Sequence, residues 1–258
     1  MTNPIARHRT YYEGDDDGSV LEALAAAGLL PTDLDIVQRD NRRKNPGKEG
    51  MVKDIAALVN PAGGAGRSAV AIRDMDELSA AQVAAWFTQR MSVELPQTTP
   101  PVQIIAQPGT AKTHYFHIEA AGTPHVGRVV VVPVGLPASV AATEYEIGQF
   151  AVDDHLLLLA RDKSIYDSIS EFGEVSHDLA LKKLAEIVAL MKGNGIPVKH
   201  TKRLMHLFRA VTGFRASPAT FAERLVSQGI VAMGAAGIRN FFLPLIEGLE
   251  EASRPLSP

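Results

Sequence analysis

The stretch Tyr11-Tyr12-Glu13-Gly14-Asp15-Asp16-Asp17 runs from an aromatic pair straight into four carboxylates within five positions, interrupted by one glycine. Clustered like charges raise each other's pKa values. Such a cluster therefore has either a cation to hold or a helix N-terminus to cap. The residues before it, 7–12, are few and end in two aromatics, which predicts a strand. The residues after it, 18–28, predict a helix. Val20, Leu21, Leu24 and Ala25 recur at helical spacing, and Gly28 is placed as the stop. Asp16 or Asp17 is then a candidate N-cap.

Outward from that stretch, strand and helix signals alternate. Residues 34–37 predict a second short strand, followed by a basic loop with Arg39, Arg42, Arg43 and Lys44. Residues 50–59 predict a helix with Met51, Ile55 and Leu58 on one stripe. Ala69-Val70-Ala71-Ile72 is a buried-strand signature that runs directly into Arg73-Asp74-Met75-Asp76-Glu77. Ser79 is placed to cap a helix over 80–91 that carries Val83, Trp86 and Phe87. A proline-rich linker at 96–101 precedes two paired strands at 102–106 and 115–118. Residues 128–134 are the strongest strand, a continuous apolar run suited to a sheet covered on both faces. After Gly135-Leu136-Pro137 the pattern turns helical, with segments expected at 146–160, 178–192, 198–212, 218–228 and 238–252. The expected architecture is α/β: a mostly parallel sheet flanked by helices over residues 1–137, with a mostly helical region over 138–258 packed on it.

Composition narrows the function classes. The chain has 258 residues, is 46% hydrophobic and carries a net charge of −3. The global balance gives no electrostatic case for nucleic acid, so such a partner needs a local basic patch or bridging metal ions. With no cysteine, disulfides, thiolate zinc sites and cysteine nucleophiles are excluded. Residues 1–10 lack the apolar core of a signal peptide, and the longest apolar runs are too short to span a bilayer. The expectation is a cytoplasmic protein with no membrane partner.

Ligands on parallel sheets bind at the C-terminal ends of the strands. Glu13 and Asp74 both fall where a strand ends. Asp74 and Asp76 are two apart, so on extended backbone they point the same way. A glutamate facing an Asp-x-Asp pair offers hard oxygen ligands to one or two Mg²⁺ or Mn²⁺ ions. Ions so held activate a water and stabilise a leaving oxygen in phosphoryl transfer.

A strand ending in Glu13-Gly14 with acids just after it, then a helix, then a strand ending in Asp74-Met75-Asp76, resembles the Toprim domain of topoisomerases, primases and OLD-family nucleases. The run Glu13 to Asp17 is most similar to stand-alone and OLD-like members, and the likeness covers roughly residues 7–135. It implies a general acid/base or metal-linked role for Glu13, metal ligation by Asp74 and Asp76, and a secondary acid at Asp17. It also implies a lysine beside the carboxylates, for which Lys199 and Lys202 are the candidates. Arg73 departs from the family pattern and is placed to pair with a carboxylate.

Further acids and bases follow the sheet region. Glu146 and Asp154 are candidate additions to a second metal site; Asp153-Asp154 also read as helix-start acids. Lys199, Lys202, Arg203, His206 and Arg209 form a basic stripe suited to phosphates. The glycine loop at 60–67 precedes a strand rather than a helix, and 108–113 lacks the P-loop pattern, so neither binds nucleotide. His114 and His117 fall on opposite faces of a strand. The expected function is Mg²⁺- or Mn²⁺-dependent phosphodiester chemistry on DNA or RNA, as a nuclease. A homodimer and a separate ATPase are compatible partners. An aspartate-based phosphatase using Asp74 and Asp76, and a non-catalytic interaction scaffold, are the alternatives.

Overall fold

Ser68–Asp74 and Val126–Val134 commit the chain to a sheet. Both are rich in β-branched and small apolar residues, which suit a strand covered on both faces. The computed structural model describes residues 8–13, 15–32, 34–36, 47–60, 68–95, 103–108, 116–121 and 126–253. In it these runs form β3 (Ser68–Asp74) and β6 (Val126–Val134), paired in parallel from Ser68 opposite Arg128 to Asp74 opposite Val134. β1 (His8–Tyr11) lies parallel to β3 on its other side, with Tyr11 opposite Ala71. β2 (Leu34–Ile36) continues the parallel set beyond β1. β4 (Gln103–Pro108) and β5 (Phe116–Ala121) complete the other edge in antiparallel fashion, giving the order β2-β1-β3-β6-β5-β4. The chain is therefore α/β, with a mostly parallel sheet flanked by helices and a helical C-terminal region.

Alternation along β3 divides the core. Ala69 and Ala71 face one layer, with Tyr11, Val129 and Val131. They pack on Met51, Ile55, Val83, Phe87 and Met91 of α2 (Gly47–Val59) and α3 (Ala80–Glu94). Ser79 caps α3 through a capping box with Gln82, as its place in the sequence predicts. Val70 and Ile72 face the other layer. That layer combines Val20, Leu21 and Leu24 of α1 (Asp15–Ala26) with the C-terminal helices, so one hydrophobic cluster draws on both halves of the chain.

The C-terminal region comprises α4 (Val140–Glu144), α5 (Asp153–Ala160), α6 (Lys163–Ser168), α7 (His177–Gly193), α8 (Thr201–Thr212), α9 (Pro218–Phe241) and α10 (Leu243–Ser253), with a 3₁₀ turn at Ser170–Phe172. α9 packs on α1 and α5, and α10 lies across β6 and β3. Several expected boundaries differ: α1 begins at Asp15 rather than Gly18, which puts Asp17 in its first turn instead of at the N-cap. Residues 146–152 are not helical: Glu146 has φ +53°, and Gln149 and Phe150 bridge to His200 and Asp76. α9 does not stop at Gln228 but continues to Phe241 through a break at Gly234, with φ +75°. Among the described residues no single helix is long and apolar enough to cross a membrane. α9 and α10 pass that test only as a pair, bent by 68°, and Phe221, Leu225, Ile238, Leu245 and Leu249 of that pair are buried in the core. The basic loop at 39–44, the glycine loop at 61–67, residues 109–113 and His114 lie outside the described residues, as does the His117 side chain.

At Gly127 the end of α2 comes up close against β6. A Cβ there would stand 2.1 Å from the Val59 carbonyl oxygen at the end of α2. Backbone cannot yield as a flexible side chain does, so Gly127→Ala is expected to destabilise the fold by about 2 kcal/mol or more. Urea unfolding followed by circular dichroism measures this; an unchanged midpoint would contradict the packing.

Candidate metal centre

β1 and β3 are neighbours and parallel, so their C-terminal ends open on one edge of the sheet. Glu13 stands two residues beyond β1, and Asp74 is the last residue of β3. Asp17, in the first turn of α1, is 3% exposed, and its Oδ2 accepts the Glu13 backbone N–H at 3.2 Å. Asp153 arrives from the first turn of α5 and is also buried. The closeness of these acids is registered at Asp74, whose carboxyl pKa is raised well above the ordinary value. Burial is the largest cause, followed by the negative charges of Asp17 and Glu13, with Asp153 adding to them. A hydrogen bond from the Val152 N–H to Asp74 Oδ1 at 3.1 Å opposes the shift.

Arg73 answers part of this charge. Its side chain projects to the α2/α3 side of the sheet and is 1% exposed. One guanidinium nitrogen lies 2.8 Å from Glu13 Oε2 and another 2.9 Å from Asp76 Oδ2. It also donates to the Asp74 carbonyl oxygen. The indole of Trp86, from α3, has the guanidinium carbon 5.5 Å from its centroid, a favourable cation–π distance.

Asp74 and Asp76 do not act side by side as extended backbone would have them. Asp76 takes φ +49°, a left-handed conformation that turns the chain out of the strand. Its backbone exchanges two hydrogen bonds of 2.9 Å with Phe150. The Asp76 carboxylate consequently engages Arg73, whereas that of Asp74 faces the start of α5.

The other predicted residues lie in different surroundings. Asp154 is a structural staple. Its Oδ2 accepts the N–H groups of Leu136 and Ala151 at 3.0 and 3.1 Å, and its Oδ1 accepts the Thr201 hydroxyl at 2.7 Å. Glu146 is an exposed partner of Lys192 at 2.6 Å. Lys199 precedes α8, and its carbonyl accepts from Gly148 and Gln149. Lys202, Arg203 and His206 are exposed on α8. Arg209 instead packs over Phe214 and Phe221 and donates to the Ala216 carbonyl. Asp153, read from sequence as one of a pair of helix-start acids, is the member that joins the acidic edge. It also lines a cavity of about 10 Å³ with His206 and Arg209, room for about one water.

No family model matches this chain, and no curated protein or solved structure does. The acidic edge therefore has to be judged on its own chemistry. Among the described residues no three carboxylate or imidazole groups stand in a ready coordination arrangement. The donors gathered by Asp17, Asp74 and Asp153 are carboxylate oxygens, which suit Mg²⁺ or Mn²⁺. The shift at Asp74 comes first from burial and then from the neighbouring acids.

A carboxyl whose pKa is raised in the folded chain favours folding below its unfolded pKa. That contribution is lost as pH rises through the folded value. Asp74→Asn keeps the Oδ1 acceptor for Val152 and removes the charge. In metal-free buffer the variant is expected to melt near the parent at pH 4 and above it at pH 7. Thermal unfolding across that range checks this; a variant less stable at pH 7 would contradict it.

Proposed function

We propose that this chain carries out Mg²⁺- or Mn²⁺-dependent hydrolysis of phosphodiester bonds in nucleic acid, as a nuclease. The observation that carries the reading is the convergence of Glu13, Asp17, Asp74 and Asp153 on the C-terminal edge of adjacent parallel strands, where ligands of such sheets bind. Asp17, Asp74 and Asp153 would hold the cation. When bound, the cation polarises the phosphoryl oxygen and lowers the pKa of a coordinated water.

The remaining roles belong to the chain itself. Glu13 is partly exposed at the rim and is the group positioned to take a proton from the attacking water as its oxygen bonds to phosphorus. Arg73 fixes the direction of the Glu13 carboxylate. The bond that breaks is that from phosphorus to the leaving oxygen, which takes a proton from solvent water while Glu13 returns its proton to solvent. Lys202, Arg203 and His206 lie on α8, which packs against α5 and hence beside Asp153; their charge suits the phosphates of a polyanion. Asp74 and Asp76 face different partners, which counts against an aspartyl-phosphate mechanism that uses both on one phosphate. The neutralisation of Glu13 and Asp76 by Arg73 favours a second reading, a scaffold that binds without cleaving.

Single-stranded and duplex DNA and RNA incubated with the full chain and Mg²⁺ or Mn²⁺ provide the test. Cleavage is expected, and Glu13→Ala and Asp74→Ala are each expected to lower it by about 100-fold or more. Hydrolysis confined to small phosphate esters, and lost only in Asp74→Ala, would point to the phosphatase instead. A folded chain that cleaves none of these substrates leaves the scaffold.

A further inference from the structure

From Ile187 to Ala222 the chain carries no acid. Six of its 26 lysines and arginines stand in that stretch (Lys192, Lys199, Lys202, Arg203, Arg209 and Arg215), and none of its 29 aspartates and glutamates does. A chain of net charge −3 thus concentrates positive charge in one segment, most of which folds as the end of α7, the turn after it and α8. The fold then sorts these cations. Lys192 is paired with Glu146, and Arg209 lies over Phe214 and Phe221. Lys199, Lys202, Arg203 and His206 are exposed, while Leu204, Met205 and Phe208 turn the opposite side of α8 into the core.

This face departs from the way the neighbouring helices handle surface charge. Lys163, Lys182, Arg224 and Arg239 each stand within 4.0 Å of a carboxylate. Among the described residues Lys199 and Arg203 make no ion pair. Lys202 and Arg203 also occupy the first turn of α8, which holds no acid, and cations at that end oppose the helix dipole. A polyanion laid along the face offsets both costs. The make-up of the face narrows the choice of polyanion. Single strands are gripped by aromatic stacking as well as by charge, and the aromatics of the segment, Phe208, Phe214 and Phe221, are all buried. A lipid surface needs large apolar side chains to enter it. The exposed residues of α8 are Lys202, Arg203, His206 and Ala210; the exposed Leu190 and Ile196 belong to α7 and the turn before α8. A duplex, with one charge per about 1.7 Å of its axis, is bound through phosphates alone.

We infer that the face carrying Lys199, Lys202, Arg203 and His206 is a docking surface for the phosphate backbone of a nucleic-acid duplex, bound without regard to base sequence and without a metal ion. This deepens the nucleic-acid reading above by naming the form of the substrate. α8 packs on α5, the helix that carries Asp153 to the acidic edge.

The measurement is fluorescence anisotropy of a labelled DNA duplex of about 30 base pairs, titrated with the full chain in EDTA at several salt concentrations. The parent is expected to bind two duplexes of unrelated sequence equally, and the matching single strand more weakly. Lys199→Gln/Arg203→Gln is expected to lose about tenfold in affinity and to lower the salt slope by about two. Lys53→Gln/Arg90→Gln removes two exposed cations from the α2/α3 side and is expected to stay within about twofold of the parent. All four side chains are exposed, and circular dichroism establishes that both variants are folded. No duplex binding by the folded parent, equal losses in the two variants, a preference for single strands, or capture by phosphatidylserine vesicles with no duplex bound would each overturn the assignment. Duplex binding without cleavage once Mg²⁺ is restored would sink the nuclease and leave this face standing. Cleavage by a chain whose duplex affinity ignores Lys199→Gln/Arg203→Gln would do the reverse.

Discussion

A guanidinium removed almost wholly from water must have its charge answered, and Arg73 organises the upper edge of this protein for that reason. Each ion in such a place loses several kcal/mol of hydration, recovered only with close partners and good hydrogen bonds. Glu13 comes from the end of β1 and Asp76 from the turn after β3, and both are drawn to the same side chain. Their meeting is possible because β1 and β3 are adjacent and in parallel register, so that both strands finish at one level. The pairing then constrains the chain beyond β3. Asp76 is held in a left-handed turn, its backbone is locked to Phe150, and Phe150 leads into the start of α5. One buried charge thereby connects the first strand, the central strand and the helical second half.

Much of the architecture was legible because its causes are local. β3 and β6 declare themselves as apolar runs, Ser79 and Gln82 spell a capping box, and α1 and α2 show their apolar spacing directly. The departures have long-range causes. Residues 146–152 are not helical, because Gln149 and Phe150 bridge to His200 and Asp76, distant in sequence. The continuation of α9 past Gln228 is likewise decided by packing. At Gly229, just past the expected end, the missing side chain makes room for Ile238. A Cβ there would come within 2.1 Å of the Ile238 Cδ1.

The acidic edge was legible to a similar depth. Glu13 and Asp74 are found by asking where strands end, and Asp17 was singled out only by the likeness of the run from Glu13 to Asp17 to a known pattern. Between Asp153 and Asp154 the sequence reading chose Asp154, and the structure places Asp153 toward Asp74 instead. Successive helical residues point about 100° apart, so the rotation of α5 about its axis decides which of them reaches the edge. An amphipathic helix advertises that rotation through its apolar stripe. α5 has no such stripe: Leu156, Leu157, Leu159 and Ala160 are all buried, as is His155. Its phase is set by neighbours on every side, and only the fold places Asp153 beside Asp74 and Asp154 on the Leu136, Ala151 and Thr201 donors. Asp76 fails differently. The period of two holds only while the backbone stays extended, and the positive φ at Asp76 ends it.

Where a chain breaks the rules that otherwise fold it, the breach points to function more often than to accident. Several such breaches lie together here, although others, such as Glu146 at φ +53° and the buried His155, lie elsewhere. At the edge stand a non-glycine residue in left-handed conformation, a wholly buried arginine, and carboxylates that raise the pKa of Asp74. Each is unfavourable taken alone, and the acids are unfavourable to one another. Stability could be gained by replacing Asp74 with a neutral residue, as its desolvation and acidic neighbours imply. A fold that keeps such a group beside two more buried acids holds it at a cost in stability, and that cost falls on the same few residues that join the first strand, the central strand and α5.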